Sequence, residues 1–127
     1  MKINHAALYV SDLESVRAFY EKYFGGVSNE KYHNQSTGLQ TYFLTFDGNC
    51  RLELMYSPQA LSADRSVTKT GYAHLAFSAG GRGAVDELTA RLEADGYHVL
   101  SQPRVTGDGY YESTVLDTEG NIIEITE

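Results

Sequence analysis

The sequence predicts an α+β protein built from two βαβββ modules, which form a curved mixed sheet with the helices outside. Two observations support this class. A strand-like run around His5 recurs 69 positions later around His74, and each run is followed by a helical pattern and by three further strand-like stretches. The halves also end alike, in Leu-Glu-Leu at 52–54 and Ile-Glu-Ile at 123–125. Since one such module cannot bury a sheet face alone, the two are expected to join.

Both helices are predicted from apolar residues spaced three and four positions apart. These residues are Val16, Phe19, Tyr20, Tyr23 and Phe24 in the first half, and Val85, Leu88 and Leu92 in the second. Ser11 and Glu14 have the spacing of a capping box at the start of the first helix. Gly25-Gly26 and Gly96 suit the left-handed residue that ends many helices.

Turn-forming residues separate the predicted strands and set the domain organisation. They occur at 34–38, 47–48, 106–109 and 117–121. The chain is therefore predicted to be a single domain, 1–127, with modules at 1–57 and 71–127. The polar stretch 58–70, which begins with Pro58, is expected to link them.

Composition excludes several classes of function. The net charge of −7 over 127 residues gives no attraction toward nucleic acid or anionic lipid. No apolar run has the length of a membrane span, and the first residues lack the apolar segment of a secretory signal, which predicts a cytoplasmic protein. Cys50 is the only cysteine, so no internal disulfide can form. The expected partner is a small-molecule substrate.

Strand alternation places the repeated histidine and glutamate residues opposite the apolar faces. Glu53 lies opposite the face of its apolar neighbours in the Leu-Glu-Leu stretch, and Glu124 does so in Ile-Glu-Ile. A carboxylate within an apolar strand is costly unless it is paired, hydrogen-bonded or bound to a metal. Imidazole with carboxylate is a common ligand set for nickel, cobalt, zinc, manganese or iron. The sequence thus predicts one divalent metal ion held by His5, Glu53, His74 and Glu124.

At these residues the sequence resembles the vicinal oxygen chelate superfamily, which includes glyoxalase I, extradiol dioxygenases, fosfomycin resistance proteins and bleomycin-binding proteins. The resemblance covers essentially the whole chain, and its most specific parts are HAALYVSDLESVRAFYEKYFG from His5 to Gly25 and DTEGNIIE from Asp117 to Glu124. It implies a glyoxalase-like fold and the same ligands.

The resemblance favours glyoxalase I, which uses two histidines and two glutamates, over the dioxygenases, which use two histidines and one glutamate. It implies a metal-dependent lyase or isomerase acting through an enediolate on a small carbonyl or thiol-adduct substrate. Glu53 or Glu124 would be the catalytic base, and the sequence leaves that choice open. The alternatives are a dioxygenase of the same superfamily and a drug- or metabolite-binding resistance protein.

Two departures put the thiol cofactor of glyoxalase I in question. Tyr9 stands where relatives that use glutathione carry an arginine, and Ser57 stands where they tend to carry an asparagine. Five arginines remain for an anionic group, but the sequence places none of them near the metal and a surface role is favoured for each; they are Arg17, Arg51, Arg65, Arg82 and Arg104. The resemblance also implies a homodimer, in which the metal site lies within one chain or is shared between two.

Overall fold

A computed structural model describes residues 1–62, 64, 68 and 70–127. The chain divides into two compact units, unit 1 (Met1–Asp64) and unit 2 (Arg65–Glu127). The linker predicted at 58–70 spans this boundary, and its residues 63, 65–67 and 69 lie outside the described residues. The single domain at 1–127 and its module limits stay predictions.

Unit 1 contains one helix and one sheet. Its elements are β1 (Ala6–Tyr9), α1 (Leu13–Phe24), β2 (Val27–Ser28), β3 (Tyr32–His33), β4 (Gln40–Thr45) and β5 (Arg51–Tyr56). The strand order is β1-β5-β4-β2, and β3 also pairs with β4. Only the β1–β5 pairing is parallel among these, so the sheet is mixed.

Unit 2 repeats the arrangement. Its elements are β6 (Leu75–Ser78), α2 (Arg82–Ala94), β7 (Val99–Val105), β8 (Tyr111–Leu116) and β9 (Ile122–Thr126). The strand order is β6-β9-β8-β7, with β6 parallel to β9 and the other pairs antiparallel. The predicted α+β class with two βαβββ modules is confirmed, and its mixed strands lie in two sheets, one in each unit.

The edge of the first sheet differs from the prediction of three strands after the helix. The edge segment consists of two short strands, β2 and β3, which both pair with β4. Between them, the Asn29 side chain accepts a hydrogen bond of 2.8 Å from the backbone N–H of Phe43. A side chain that takes a backbone donor in this way replaces a ladder bond and interrupts the strand.

The start of α1 also differs from the prediction. Asp12 is the N-cap, and its Oδ1 accepts a hydrogen bond of 3.0 Å from the backbone N–H of Ser15. The predicted capping box of Ser11 and Glu14 is therefore wrong. An aspartate is among the strongest N-cap residues, because it accepts this bond and places negative charge at the helix N-terminus. At the other end Gly25 is left-handed, as predicted, with φ of 67°.

The helices cover their sheets with different side chains. In α1 the buried residues are Leu13, Val16, Phe19, Tyr20 and Tyr23, which face Leu44, Leu52 and Leu54 of the strands. In α2 the buried residues are Val85, Thr89 and Leu92. The Thr89 hydroxyl lies 2.6 Å from the buried hydroxyl of Ser113 on β8. Unit 2 thus uses a satisfied polar pair where unit 1 uses aromatic rings.

Candidate metal centre

The first histidine–glutamate pair lies on the sheet face opposite α1. His5 directly precedes β1, and Ala7 on that strand pairs in register with Glu53 on β5. Leu52 and Leu54 are buried on the helix side, so alternation puts Glu53 on the other face together with Ala7 and His5. The Nε2 atom of His5 lies 3.5 Å from an Oε atom of Glu53.

The second pair has the same construction. His74 directly precedes β6, and Ala76 on that strand pairs in register with Glu124 on β9. The Nε2 atom of His74 lies 3.6 Å from an Oε atom of Glu124. The side chains are also exposed to a similar degree, 35% and 17% for the first histidine and glutamate and 42% and 20% for the second. The structure therefore brings together the predicted ligands two by two.

These pairs fit a divalent cation in their chemistry and spacing. Two ligand atoms that each lie about 2.0–2.1 Å from one ion, at a tetrahedral or octahedral angle, are roughly 2.8–3.4 Å apart. The observed 3.5 and 3.6 Å are slightly longer than that separation. In each pair the atoms that face each other are an imidazole nitrogen and a carboxylate oxygen, both ligands for transition metals.

Each pair alone supplies only two donors. Within residues 1–62, 64, 68 and 70–127 there is no group of three or more histidine, cysteine, aspartate or glutamate side chains that could hold a metal ion. The four-residue ligand set predicted from the sequence thus stays a prediction. Each half of it brings one imidazole nitrogen and one carboxylate oxygen close together.

Asn4 orients the imidazole of the first pair. Its Oδ1 lies 2.9 Å from Nδ1 of His5 and also accepts a hydrogen bond from the Arg51 guanidinium. Because arginine can only donate, the Asn4 atom between the two groups must be an acceptor, and Nδ1 of His5 must carry the hydrogen. The opposite nitrogen, Nε2, which faces Glu53, then carries the lone pair and could act as a metal ligand.

Phe43 and Arg51 form the wall beside the first pair. Phe43 pairs in register with Glu53, and its ring meets the His5 ring edge to face, with centroids 5.2 Å apart. The guanidinium carbon of Arg51 lies 5.1 Å from the centroid of the same Phe43 ring. A fixed cation and an apolar surface therefore lie next to the first pair.

The second pair has acidic and hydroxyl neighbours instead. Thr114 occupies the register position opposite Glu124, and Glu112 lies two residues before it on β8. The Glu112 carboxyl group is hydrogen-bonded to Glu124. Burial, followed by the charge of Glu124, raises the pKa of Glu112 above its ordinary value. Arg104 pairs in register with Glu112 and donates a hydrogen bond of 2.6 Å to Ser101.

Sequence reasoning missed Asn4 and Glu112 as neighbours of the pairs. Asn4 and Arg51 are 47 positions apart, and no local spacing relates them. Alternation along β8 predicts that Glu112 and Thr114 lie on the same face. Only the register between β8 and β9 shows that this face contacts Glu124.

The arginines considered for anion binding differ in their partners. Arg17 pairs with Glu14 at 3.2 Å and Glu21 at 3.4 Å, and Arg82 pairs with Glu127 at 3.1 Å. Arg65 lies outside the described residues. Arg104 lies opposite Glu112 of the second unit. Among the described arginines of this set, Arg51 lies beside the first pair.

Helices able to cross a membrane are absent from the described part of the chain, because neither α1 nor α2 is long and apolar enough.

The repeated order of elements, the common register and the two histidine–glutamate pairs define a protein made of duplicated βαβββ units. The family model of the Glyoxalase/Bleomycin resistance protein/Dioxygenase superfamily matches residues 2–125, and the chain belongs to that superfamily. The resemblance stated from the sequence is thereby confirmed.

Individual relatives agree with this assignment. The chain is 30% identical to the uncharacterized protein YqjT of Bacillus subtilis over 97% of this chain and 96% of the relative. The crystal structure of lactoylglutathione lyase from Agrobacterium tumefaciens is similar with a TM-score of 0.71 and 29% identity, covering 99% of this chain and 92% of that one. A glyoxalase family protein from Enterococcus faecalis shares the fold, with a TM-score of 0.81, 23% identity and coverage of 99% and 97%.

Proposed function

We propose that this protein is a metal-dependent lyase or isomerase, similar to lactoylglutathione lyase, that acts on a small carbonyl compound or thiol adduct. The observation that carries the proposal is the repeated pair, His5 with Glu53 and His74 with Glu124. The two pairs have the same strand register and nearly the same nitrogen–oxygen distance. The 29% identity with the lactoylglutathione lyase of Agrobacterium tumefaciens supports it.

All four residues are proposed as ligands of one divalent ion, which is nickel, cobalt, zinc or manganese. Catalytic metal ions are usually held by three or more protein groups, so a single pair is not sufficient. Both pairs are therefore required, from one chain or from two chains of a homodimer. The homodimer and the cytoplasmic location stay predictions.

The reaction proposed is the transfer of a proton between neighbouring carbon atoms of the substrate. A divalent ion supplies Lewis acidity, which stabilises the negative charge that develops on oxygen when a C–H proton beside a carbonyl is lost. Glu53 or Glu124 takes that proton at a carboxylate oxygen and returns it to the adjacent carbon. The side chains of Glu53 and Glu124 are 17% and 20% exposed, so each carboxylate can be reached by a substrate and its proton can exchange with solvent.

The metal site is tested by metal content after purification without chelator. The wild type is expected to hold about one divalent ion per four-ligand site, and Glu53→Gln and His74→Ala are expected to lose it. His33→Ala is a matched control, because it removes an exposed imidazole of β3 that contacts Gln35 and lies outside the pair. Absence of binding after nickel, cobalt, zinc and manganese are each supplied contradicts the proposal.

The reaction is tested with hemithioacetals formed from methylglyoxal and several thiols. Metal-dependent loss of the adduct in deuterated water, with deuterium entering the product, is the expected result because the transferred proton exchanges with solvent. Oxygen consumption with catechols, in the absence of such isomerisation, would favour the dioxygenase alternative instead.

A further inference from the structure

Arg51 has an unusual environment for an arginine on the surface of a sheet. Its guanidinium donates a hydrogen bond to Asn4 and lies over the ring of Phe43. In the described residues no carboxylate forms an ion pair with it, whereas Arg17 and Arg82 each have a carboxylate partner. Arginine has five N–H donors, so most of those of Arg51 remain available after the bond to Asn4.

Its position on β5 relates Arg51 directly to the candidate ligand. Arg51 and Glu53 are two residues apart on one strand, which puts both side chains on the same face. The rise of a strand separates their Cα atoms by roughly 7 Å. The guanidinium of Arg51 and the imidazole of His5 both contact the ring of Phe43, at 5.1 Å from the guanidinium carbon and 5.2 Å between ring centroids.

We propose that Arg51 binds an oxyanionic group of the substrate, a carboxylate or phosphate, beside the His5–Glu53 pair. The inference rests on the proposed function and specifies its substrate class: a compound with a carbonyl or adjacent oxygens at one end and an anionic group several bonds away. A guanidinium matches two oxygens of such a group with two parallel hydrogen bonds. Phe43 and Asn4 hold the fork in place, which reduces the entropy lost on binding.

The position also accounts for a departure noted in the sequence. The first strand carries Tyr9 in place of the arginine found in relatives that use glutathione. Tyr9 lies on the same face as His5, in register with Met55, and 58% of it is exposed. The cation of this face is therefore supplied by β5 instead of β1, which points to an anionic group arranged differently from that of glutathione.

Three hydroxamates that share one metal-binding group serve as probes on the metal-loaded protein. Acetohydroxamate is neutral outside that group, succinate monohydroxamate adds a carboxylate, and phosphonoacetohydroxamate adds a phosphonate. Calorimetry on the wild type is expected to show about 10- to 100-fold tighter binding of an anionic probe than of acetohydroxamate. The anionic probe that binds more tightly identifies the class of oxyanion.

Arg51→Gln is expected to remove this preference, measured as the ratio of each anionic probe's affinity to that of acetohydroxamate, so that any effect of Arg51 on the metal site through Asn4 cancels. Arg51→Lys is expected to retain part of it, because the charge stays and the fork is lost. Arg17→Gln is the charge-matched control in the same unit, since Arg17 lies 5.0 Å from the ring centroid of Tyr42 on the helix-covered side of the sheet. Equal affinities of all probes for the wild type, or a preference that survives Arg51→Gln, would overturn the inference.

A second arm separates this inference from the proposed function. Succinate is titrated into metal-free protein while the Nε–H resonance of Arg51 is followed by NMR, identified by its loss in Arg51→Gln. A saturable shift supports the anion site even if no metal binds, which would overturn only the proposed function. If the resonance does not move and no probe preference is found, the inference is wrong while the proposed function is unaffected.

Discussion

Unit 1 and unit 2 present the same histidine–glutamate pair to different neighbours. The first pair lies beside an aromatic ring and a guanidinium, and its histidine is oriented by Asn4. The second lies beside Thr114 and Glu112, and Ala73 stands at the position equivalent to Asn4. The repeat thus maintains the ligand geometry, whereas the surrounding residues differ. Metal binding is expected to depend on both units, and recognition of an anionic substrate on unit 1.

The largest expected effect tests whether Glu53 and Glu124 have the same role in proton transfer. Glu53→Gln and Glu124→Gln are each expected to slow isomerisation. With the metal that these variants lose on purification restored by an excess of added ion, the variant that removes the base is expected to lose about 10²–10⁴-fold in C–H exchange. Deuterium exchange measured alongside metal content separates loss of the base from loss of the ion. Unchanged exchange in both metal-loaded variants would show that neither carboxylate moves the proton.

The next effect compares the cores of the two units at equivalent positions. Leu54 and Ile125 follow the two glutamates directly and are fully buried. Replacing either by alanine is expected to lower the free energy of unfolding by about 2–5 kcal/mol, because it removes buried methyl groups and leaves a cavity. Urea unfolding measures this. Thr118→Ala, on the turn before β9, is the surface comparison because Thr118 is exposed, and an equally large loss there would contradict the interpretation.

A smaller effect tests the orientation of His5. Asn4→Ala is expected to weaken metal binding by about 10-fold, because the imidazole loses the acceptor that fixes its tautomer. Asn4→Asp keeps an acceptor oxygen and is expected to bind metal nearly as the wild type does. Calorimetric titration with zinc or nickel measures both. Equal affinities of Asn4→Ala and wild type would make the Asn4 contact irrelevant to the metal.

The smallest effect concerns an ion pair on the helix side of unit 1. Lys31 lies 2.5 Å from Glu14, and this hydrogen bond is the main cause that lowers the pKa of Glu14. Since the folded pKa is the lower one, the carboxylate contributes stability above its unfolded pKa, and that contribution is lost as the pH falls through the folded pKa. Lys31→Met is expected to return the pKa of Glu14 toward 4.5.

NMR titration of the Glu14 carboxyl carbon measures this change, with Arg82→Met as the control in unit 2. The stability difference between wild type and Lys31→Met is expected at neutral pH and should disappear in acid. An unchanged pKa of Glu14 in Lys31→Met would contradict the role given to the Lys31–Glu14 ion pair.

Regular alternation and helical spacing were sufficient to predict much of this arrangement. Glu53 and Glu124 between pairs of apolar neighbours already indicated the face they share with the histidines. The N-cap was misplaced by one residue because Ser11 and Asp12 are both strong capping residues. The contact of Asn4 with Arg51 depends on the pairing of β1 with β5, which no local pattern specifies.

The strand that carries each glutamate is an inner strand, although it is the last element of its unit. β5 lies between β1 and β4, and β9 lies between β6 and β8. As the nascent chain leaves the ribosome, neither sheet can therefore be completed until the glutamate-bearing strand has emerged and inserted between strands made earlier. Unit 1 can reach this stage while unit 2 is still being synthesised. The strand that carries each glutamate therefore completes its sheet. Long-range pairing of this kind is also slow to form.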